Sequence, residues 1–273
     1  MAGKFDSGAA WNSATRMLKA NTNVVAVIAG VFFFLPNLAI SLVAPELADP
    51  LAGAAPAETS EQAMAQLSEL GPGFFATMII LGLIQAIGVL ALLRLLTDRD
   101  KPTVGEALKS GLGGLVPYIL SQIAQALIAV LAIGIPLGLV IATGSPALIA
   151  IGALLAIFAF VFLFVRFSLL SAAIAIDRIH GPVAALKRSW QLTAGKVGRL
   201  ALFYFLLMIA ILVVFLVGSM VFGLVFALMG EEIAMVGQAL IGAAINALFV
   251  TIFLGVVAAV HRQLSSGAPE KPD

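Results

Sequence analysis

Long stretches without a charged residue dominate this chain. Five of them are bounded by Lys19 and Glu46, Glu69 and Arg94, Lys109 and Arg166, Arg199 and Glu231, and Glu232 and Arg262. A helix needs roughly 20 apolar residues to cross about 30 Å of hydrocarbon, so each stretch is long enough for one membrane span. The stretch from Lys109 to Arg166 is long enough for two, and Thr143-Gly144-Ser145-Pro146 inside it is typical of a turn.

The pattern therefore predicts an all-α, polytopic membrane protein with six transmembrane helices. We expect the spans near 22–44, 73–96, 115–142, 147–176, 199–229 and 233–261. Composition agrees, because only 11% of the 273 residues are charged, where a soluble domain has about 25%. The net charge of +1 gives no electrostatic reason to bind nucleic acid, and the absence of cysteine excludes disulfides and thiolate metal sites.

Basic residues occur on alternate sides of the predicted spans. All Lys and Arg lie before span one, between spans two and three, between spans four and five, after span six, or toward those ends of spans two and four. The charged residues of the opposite loops are all acidic, namely Glu46, Asp49, Glu58, Glu61, Glu69, Glu231 and Glu232. Because basic segments resist translocation, we expect both termini in the cytoplasm and the chain in a bacterial inner (cytoplasmic) membrane.

Short amphipathic stretches precede spans one, three and five, near 7–20, 102–109 and 181–194. The first has an apolar face of Ala10, Trp11, Ala14, Met17 and Leu18, and the third has one of Val183, Leu186 and Trp190. We expect these helices to lie at the cytoplasmic interface of the phospholipid bilayer, the third lying flat on it. The residues expected to anchor them or to contact anionic lipid are Trp11, Arg16, Lys19, Lys187, Arg188, Trp190, Lys196 and Arg199.

The recurrence of a short amphipathic stretch before each pair of spans suggests an internal repeat within a single membrane domain that covers residues 1–273. Each unit would consist of an interfacial helix, an outward span and an inward span, with boundaries at 5–100, 101–180 and 181–264. A polar tail at 265–273 would follow. In the first outer loop, Thr59-Ser60-Glu61-Gln62 predicts the start of a short helix.

Arg166 is the sharpest candidate for a functional group, because an ionisable side chain near hydrocarbon is costly. In a straight antiparallel hairpin, Gln122 lies level with Arg166, and Gln125 shares the face of Gln122. One hypothesis is a polar intramembrane cluster of Arg166, Gln122 and Gln125 that faces a lipid phosphate or a polar substrate. The alternative is that Arg166 extends to the headgroups while the chain continues along the interface or into the protein.

Catalytic constellations are not visible in the sequence. His180 and His261 each fall at the end of a span that we expect on the cytoplasmic side. Neither belongs to a metal-ligand spacing, and we interpret both as interfacial. Pro36 and Pro136 are expected to kink spans one and three, a feature of transporter sites but also ordinary in membrane helices. We therefore expect no metal, no cofactor and no enzymatic activity.

The segment Ala185-Leu186-Lys187-Arg188-Ser189-Trp190-Gln191-Leu192-Thr193-Ala194-Gly195, followed by Arg199, resembles a known membrane domain. That domain is attached to some bacterial glycerophosphodiester phosphodiesterases and is related to uncharacterised stand-alone inner-membrane proteins. The match lies at Arg188, Ser189, Trp190, Leu192, Thr193 and Gly195, and it departs at Gly198, where an aromatic residue often precedes the Arg. The resemblance implies a multi-span envelope protein concerned with lipid or membrane homeostasis, without catalytic residues of its own.

Two functions follow as hypotheses. The first is a non-catalytic membrane scaffold or lipid-contacting accessory protein in envelope homeostasis, whose basic helices hold anionic lipid. The alternative is a transporter or permease for a small amphiphilic or lipid-like substrate, suggested by the repeat, the kinks and Arg166.

Overall fold

A computed structural model describes residues 5–44, 62, 65, 70–97 and 103–266. The regular elements in these ranges are helices, which we number α1 to α10. Their bounds are α1 Ser7–Ala20, α2 Thr22–Val43, α3 Pro72–Thr97, α4 Val104–Gly113, α5 Leu115–Ile141, α6 Pro146–Phe167, α7 Leu170–Ala175, α8 Pro182–Thr193, α9 Val197–Ala227 and α10 Glu231–Ser265. The predicted helix after Thr59 falls almost entirely outside the described residues, as does the tail from 267.

Six helical segments are long and apolar enough to cross a membrane. They are Thr22–Val43, Pro72–Thr97, Leu115–Ile141, Pro146–Ala175, Val197–Phe226 and Ile233–Ser265. The chain is therefore an all-α, polytopic membrane protein, and the six predicted spans are confirmed. The last segment continues past its predicted end at 261, to Ser265.

One end of the bundle carries both the basic residues and the packed core, and we call it the basic end. It contains α1, α4, α8, the N-terminal turns of α5 and α9, and the C-terminal turns of α3, α6 and α10. The Lys and Arg side chains of the described residues lie there: Arg16, Lys19, Arg94, Lys109, Arg166, Arg178, Lys187, Arg188, Lys196, Arg199 and Arg262. Toward the opposite end, α5, α6 and α9 expose most of their large apolar side chains, as expected for helices solvated by lipid.

The C-terminal part of α10 is the centre of this core. Every residue from Val256 to Val260 is at most 2% exposed, so this part is surrounded on all faces. Helix α1 runs antiparallel beside it, and Leu18 packs so closely on Gly255 that a Cβ atom there would lie 2.8 Å from Leu18 Cδ1. Glycine at 255 thus allows α1 to dock against the last helix.

Two spans change from α-helix to π-helix shortly before a proline. In α2 the π segment is Gly30–Phe34, and in α5 it is Val130–Gly134; one residue separates each segment from Pro36 or Pro136. A proline has no N–H and its ring crowds the carbonyl four residues earlier, which a wider turn accommodates. The helix type therefore changes before both prolines, and a kink at either of them stays a prediction.

Span four is interrupted near the basic end. Helix α6 ends at Phe167, Ser168 and Leu169 form a turn, and α7 continues with five of its six residues buried. Arg94 Nη1 donates a hydrogen bond to the carbonyl of Ala175 at 3.0 Å, placing a cation at the C-terminus of α7. After Phe167 the chain thus continues into the protein, one of the two courses expected from the sequence.

The order of helices repeats three times along the chain. A short helix precedes two membrane spans in α1–α3, in α4–α7 and in α8–α10. The short helix of the second unit starts with a capping box, in which Thr103 N donates to Glu106 Oε2 at 2.8 Å and Glu106 N donates to Thr103 Oγ1 at 3.4 Å. Superposition of the three units stays a prediction.

Candidate functional site at the basic end

Arg166 at the end of α6 binds the helix α8 through Trp190. Its Nη1 donates a hydrogen bond to the carbonyl oxygen of Trp190 at 3.0 Å. Its guanidinium carbon lies 4.4 Å from the centroid of the Trp190 ring and 5.2 Å from that of Phe162. Arg166 Nε is buried and has no hydrogen-bond partner among the described residues. Aromatic faces and one carbonyl therefore hold this cation at the basic end.

The predicted cluster of Arg166 with Gln122 and Gln125 is not joined by hydrogen bonds. Gln122 is exposed, Gln125 is half-buried, and among the described residues no hydrogen bond links either amide to Arg166. The prediction assumed a straight hairpin of spans three and four. Instead, α8 packs against both α5 and α6 at the basic end, while these two spans pack together mainly along their opposite halves. Arg166 therefore meets α8.

The residues of the Arg-Ser-Trp-x-Leu-Thr-x-Gly segment have local structural roles in and after α8. Buried Ser189 donates from Oγ to the carbonyl of Arg166 at 2.7 Å, which fixes α8 against the end of α6. Buried Thr193 donates from Oγ1 to the carbonyl of Ser189 at 2.9 Å. Gly195 has φ of +70°, a left-handed conformation that favours glycine after a helix end. Helix α8 ends at Thr193, two residues before this glycine.

Arg188 and His261 hold one carboxylate between them. Arg188 Nε lies 2.8 Å from Asp177 Oδ2, and His261 Nε2 lies 3.2 Å from Asp177 Oδ1. Burial raises the pKa of Asp177, but the contacts with His261 and Arg188 together lower it by more than burial raises it. The pKa of Asp177 is therefore below its ordinary value. Asp177, in the loop between α7 and α8, was missed by the sequence analysis because its partners are distant in the chain.

These contacts change the roles expected for two residues. Arg188 was predicted to contact anionic lipid, but its charge is paired with Asp177 within the protein. His261 was interpreted as interfacial, but it is 2% exposed and belongs to the core around α10. Lipid contact by Arg188 and an interfacial place for His261 therefore stay predictions, and what the fold adds is that α8 and α10 both meet the loop that carries Asp177.

The amphipathic helices turn much of their apolar faces toward protein. In α8 the buried side includes Ala185, Leu186 and Leu192, whereas Val183 is 73% exposed and Trp190 is 39% exposed. Ala185 and Ser189 are the small side chains on that side, and they let α8 pack closely against neighbouring helices. In α1 the buried residues are Ala10, Ala14 and Met17, against α10, while Trp11 is 40% exposed. The predicted face of α8 was therefore only partly correct.

The remaining cations predicted to face lipid are accessible. Lys187 and Arg199 are exposed and Lys196 is half-buried, all close to the partly exposed ring of Trp190 in sequence. Arg16 and Lys19 are exposed on α1. Among the described residues, none of these five has an ion-pair partner. These side chains have no acidic partner in the described part of the chain, whereas Arg188 is paired with Asp177.

An apolar groove of about 440 Å³ lies between α2 and α10. Its lining includes Val25, Ala26 and Leu248, and at the basic end it includes Lys19 and Thr22. The hydroxyl of Thr22 donates to the carbonyl of Lys19 at 3.0 Å, so it is satisfied within α1 and α2. Among the described residues that line the groove, Lys19 is the only one with a charged side chain.

Among the described residues, no group of three or more His, Cys, Asp or Glu side chains is arranged to hold a metal ion. No protein-family model, curated protein or solved structure matches this chain. The resemblance to the membrane domain of glycerophosphodiester phosphodiesterases therefore stays a prediction. What the structure itself identifies is a multi-pass, all-α membrane protein with one packed basic end.

Proposed function

We propose that this chain is a non-catalytic, lipid-contacting accessory or scaffold protein of the bacterial inner membrane. Its basic end would face the cytoplasm and hold anionic phospholipid. The observation that carries the proposal is the groove between α2 and α10, which is apolar along its length and has Lys19 at its basic end. An acyl chain fits the apolar part of such a groove, and an anionic headgroup fits the cation at its end.

One wall of the groove is long enough to lie beside much of a lipid chain. It extends from Lys19 at the end of α1 to Phe34 in α2, which is about 22 Å at 1.5 Å per residue, and the α10 wall extends from Ala247 to Ile252. Its other polar lining group, Thr251, donates from Oγ1 to the carbonyl of Ala247 at 2.7 Å. No unsatisfied hydroxyl is therefore offered to an apolar ligand by Thr22 or Thr251, which favours a hydrocarbon occupant.

Anionic-lipid enrichment tests this function directly. The full chain is reconstituted into nanodiscs with equal amounts of phosphatidylglycerol and phosphatidylcholine, and the lipids retained by the protein are counted by native mass spectrometry. We expect phosphatidylglycerol to be enriched over the bulk ratio. Lys19→Gln should reduce the enrichment, since one nearby cation contributes about 1 kcal/mol.

Lys109→Gln is the matched control, because Lys109 is also an exposed lysine of the basic end but does not line the groove. It should change the enrichment less than Lys19→Gln does. Equal retention of the two lipids by the unmodified protein would contradict the proposed function.

A second candidate, a transporter for a small amphiphile, is favoured by one observation. The π segment of α5 borders a pocket of about 180 Å³ between α5 and α6, which Pro136 helps to line. Broken helices that line cavities build substrate sites in transporters. Dithionite bleaching of a fluorescent phospholipid in proteoliposomes separates the two candidates, because only a protein that moves lipid exposes the inner-leaflet label.

A further inference from the structure

A second cavity, distinct from the apolar groove, lies between α1 and the end of α10. Its volume is about 340 Å³, at the small end of the range of ligand pockets. It is lined by two guanidinium side chains, Arg16 and Arg262, and by the hydroxyl side chains of Ser13 and Ser266. Gln263 also lines it. The rest of the lining is alanine. The charged groups that line the cavity are thus the two guanidinium groups, and small side chains leave room beside them.

The two arginines converge without a carboxylate between them. Arg262 Nη2 donates to Ser13 Oγ at 3.3 Å, which holds its guanidinium toward α1. Among the described residues, neither Arg16 nor Arg262 has an acidic partner within ion-pair distance. Two cations on one small cavity repel each other, and a bound anion removes that repulsion.

The polar lining also has unused hydrogen-bonding capacity. Gln263 Oε1 is buried and has no hydrogen-bond partner among the described residues. An amide oxygen only accepts hydrogen bonds, so a phosphate diester does not pair with it, and the case for an anion depends on the two guanidinium groups. The helix dipoles add little, because the N-terminal turns of α1 lie beside the C-terminal turns of the antiparallel α10 and offset them. The guanidinium groups therefore set the local field.

We propose that this cavity binds a phosphate monoester or diester, with Arg16 and Arg262 on its oxygens and Ser13, Gln263 and Ser266 around it. Arginine forks match phosphate oxygens in geometry and charge. The phosphate belongs either to the headgroup of an anionic phospholipid or to a soluble glycerol phosphate. The lipid form of this inference deepens the proposed function and rests on it, whereas the soluble form stands without it.

The test compares variants of the full chain in two kinds of nanodisc. Arg16→Gln combined with Arg262→Gln removes both cations, and Arg178→Gln combined with Lys109→Gln is the control with the same change in net charge, at exposed residues that do not line the cavity. Phosphatidylglycerol retention is measured in mixed nanodiscs by native mass spectrometry. Broadening of the ³¹P signals of inorganic phosphate and glycerol 1-phosphate is measured in nanodiscs of phosphatidylcholine alone.

A loss of binding on the order of tenfold in the Arg16 and Arg262 variant, but not in the control, supports the site. If the loss concerns retained lipid, the ligand is a headgroup; if it concerns the soluble probes, the ligand is a soluble phosphate. Soluble binding without phosphatidylglycerol enrichment would remove the proposed function and keep this site. Enrichment that depends on Lys19 but not on Arg16 and Arg262 would keep the function and overturn the site.

A second variant guards against loss of the fold. Ser13→Asp places a carboxylate next to Arg262, where it forms an ion pair and competes with phosphate. Ser13→Asn has a similar size and no charge. We expect Ser13→Asp to abolish binding with an unchanged melting temperature and Ser13→Asn to retain it. Equal binding by these two variants would overturn the proposal.

Discussion

The guanidinium of Arg166 stacks 4.4 Å from the ring of Trp190 and also donates a hydrogen bond to the Trp190 carbonyl. One side chain thus binds both the ring and the backbone of the same residue. Ser189, the preceding residue, returns a hydrogen bond from Oγ to the Arg166 carbonyl. This reciprocal contact docks α8 against the end of span four and sets the shape of the basic end.

Replacement of Arg166 by lysine tests this contact. A lysine keeps the charge but loses the planar group that stacks on Trp190 and reaches its carbonyl. We expect Arg166→Lys to lower the free energy of unfolding by about 1 to 2 kcal/mol, measured by near-ultraviolet circular dichroism in detergent. Arg199→Lys, at an exposed arginine of the same end, should leave it nearly unchanged.

Close contact of the first two spans depends on a glycine in α3. A Cβ atom at Gly88 would lie 2.5 Å from Phe32 Cβ, an atom next to the backbone that cannot rotate away. We expect Gly88→Ala to destabilise the protein by about 1 to 3 kcal/mol in thermal unfolding. Gly82→Ala is the control in the same helix, because a Cβ atom there meets nothing within 4 Å. A neutral Gly88→Ala would show that α2 and α3 are less tightly packed than described.

The Asp177 carboxylate makes the free energy of unfolding depend on pH in the acid range. Its pKa is lower in the folded protein than in the unfolded chain, so its stabilisation is present above the unfolded pKa and is lost as pH falls through the folded pKa. We expect Asp177→Asn to cost about 1 to 3 kcal/mol at pH 7 and progressively less as the pH falls from about 4 through the lowered pKa of the folded state. Unfolding measured at both pH values checks this.

Asp6→Asn is the control for the acid dependence. Asp6 accepts a hydrogen bond from Ala9 N at the start of α1, and asparagine caps helices about as well. Its effect at pH 7 should be small. An Asp177→Asn protein as stable as the unmodified chain at pH 7 would contradict the role given to the Arg188 and His261 contacts.

The six spans could be predicted because membrane insertion depends mainly on the length of apolar sequence, which is visible locally. The interruption of span four at Ser168 and Leu169 could not, since neither residue is a helix breaker and the break depends on how α7 packs into the core. The start of α8 at Pro182 agrees with the stretch expected near 181–194, because a proline in the first turn of a helix is also a local signal.

The candidate site was only partly predictable for the same reason. Arg166 stands out in the sequence because it is a charge near hydrocarbon, but its partner depends on where α8 inserts. Counting residues along a straight hairpin pointed to Gln122, whereas the docked helix supplies Trp190. Arg188 shows the same limit: its charge suggested lipid contact, and only the fold reveals that Asp177 takes it.

The account depends most on a single-sided arrangement, with the basic end in the cytoplasm and the opposite turns outside. Because the chain contains no cysteine, Thr143→Cys in the turn between α5 and α6 and Ser266→Cys after α10 can each be labelled alone. With an impermeant maleimide on intact spheroplasts, we predict labelling at 143 and protection at 266 until the cells are lysed. Labelling of both positions from the same side, or the reverse pattern, would contradict the account.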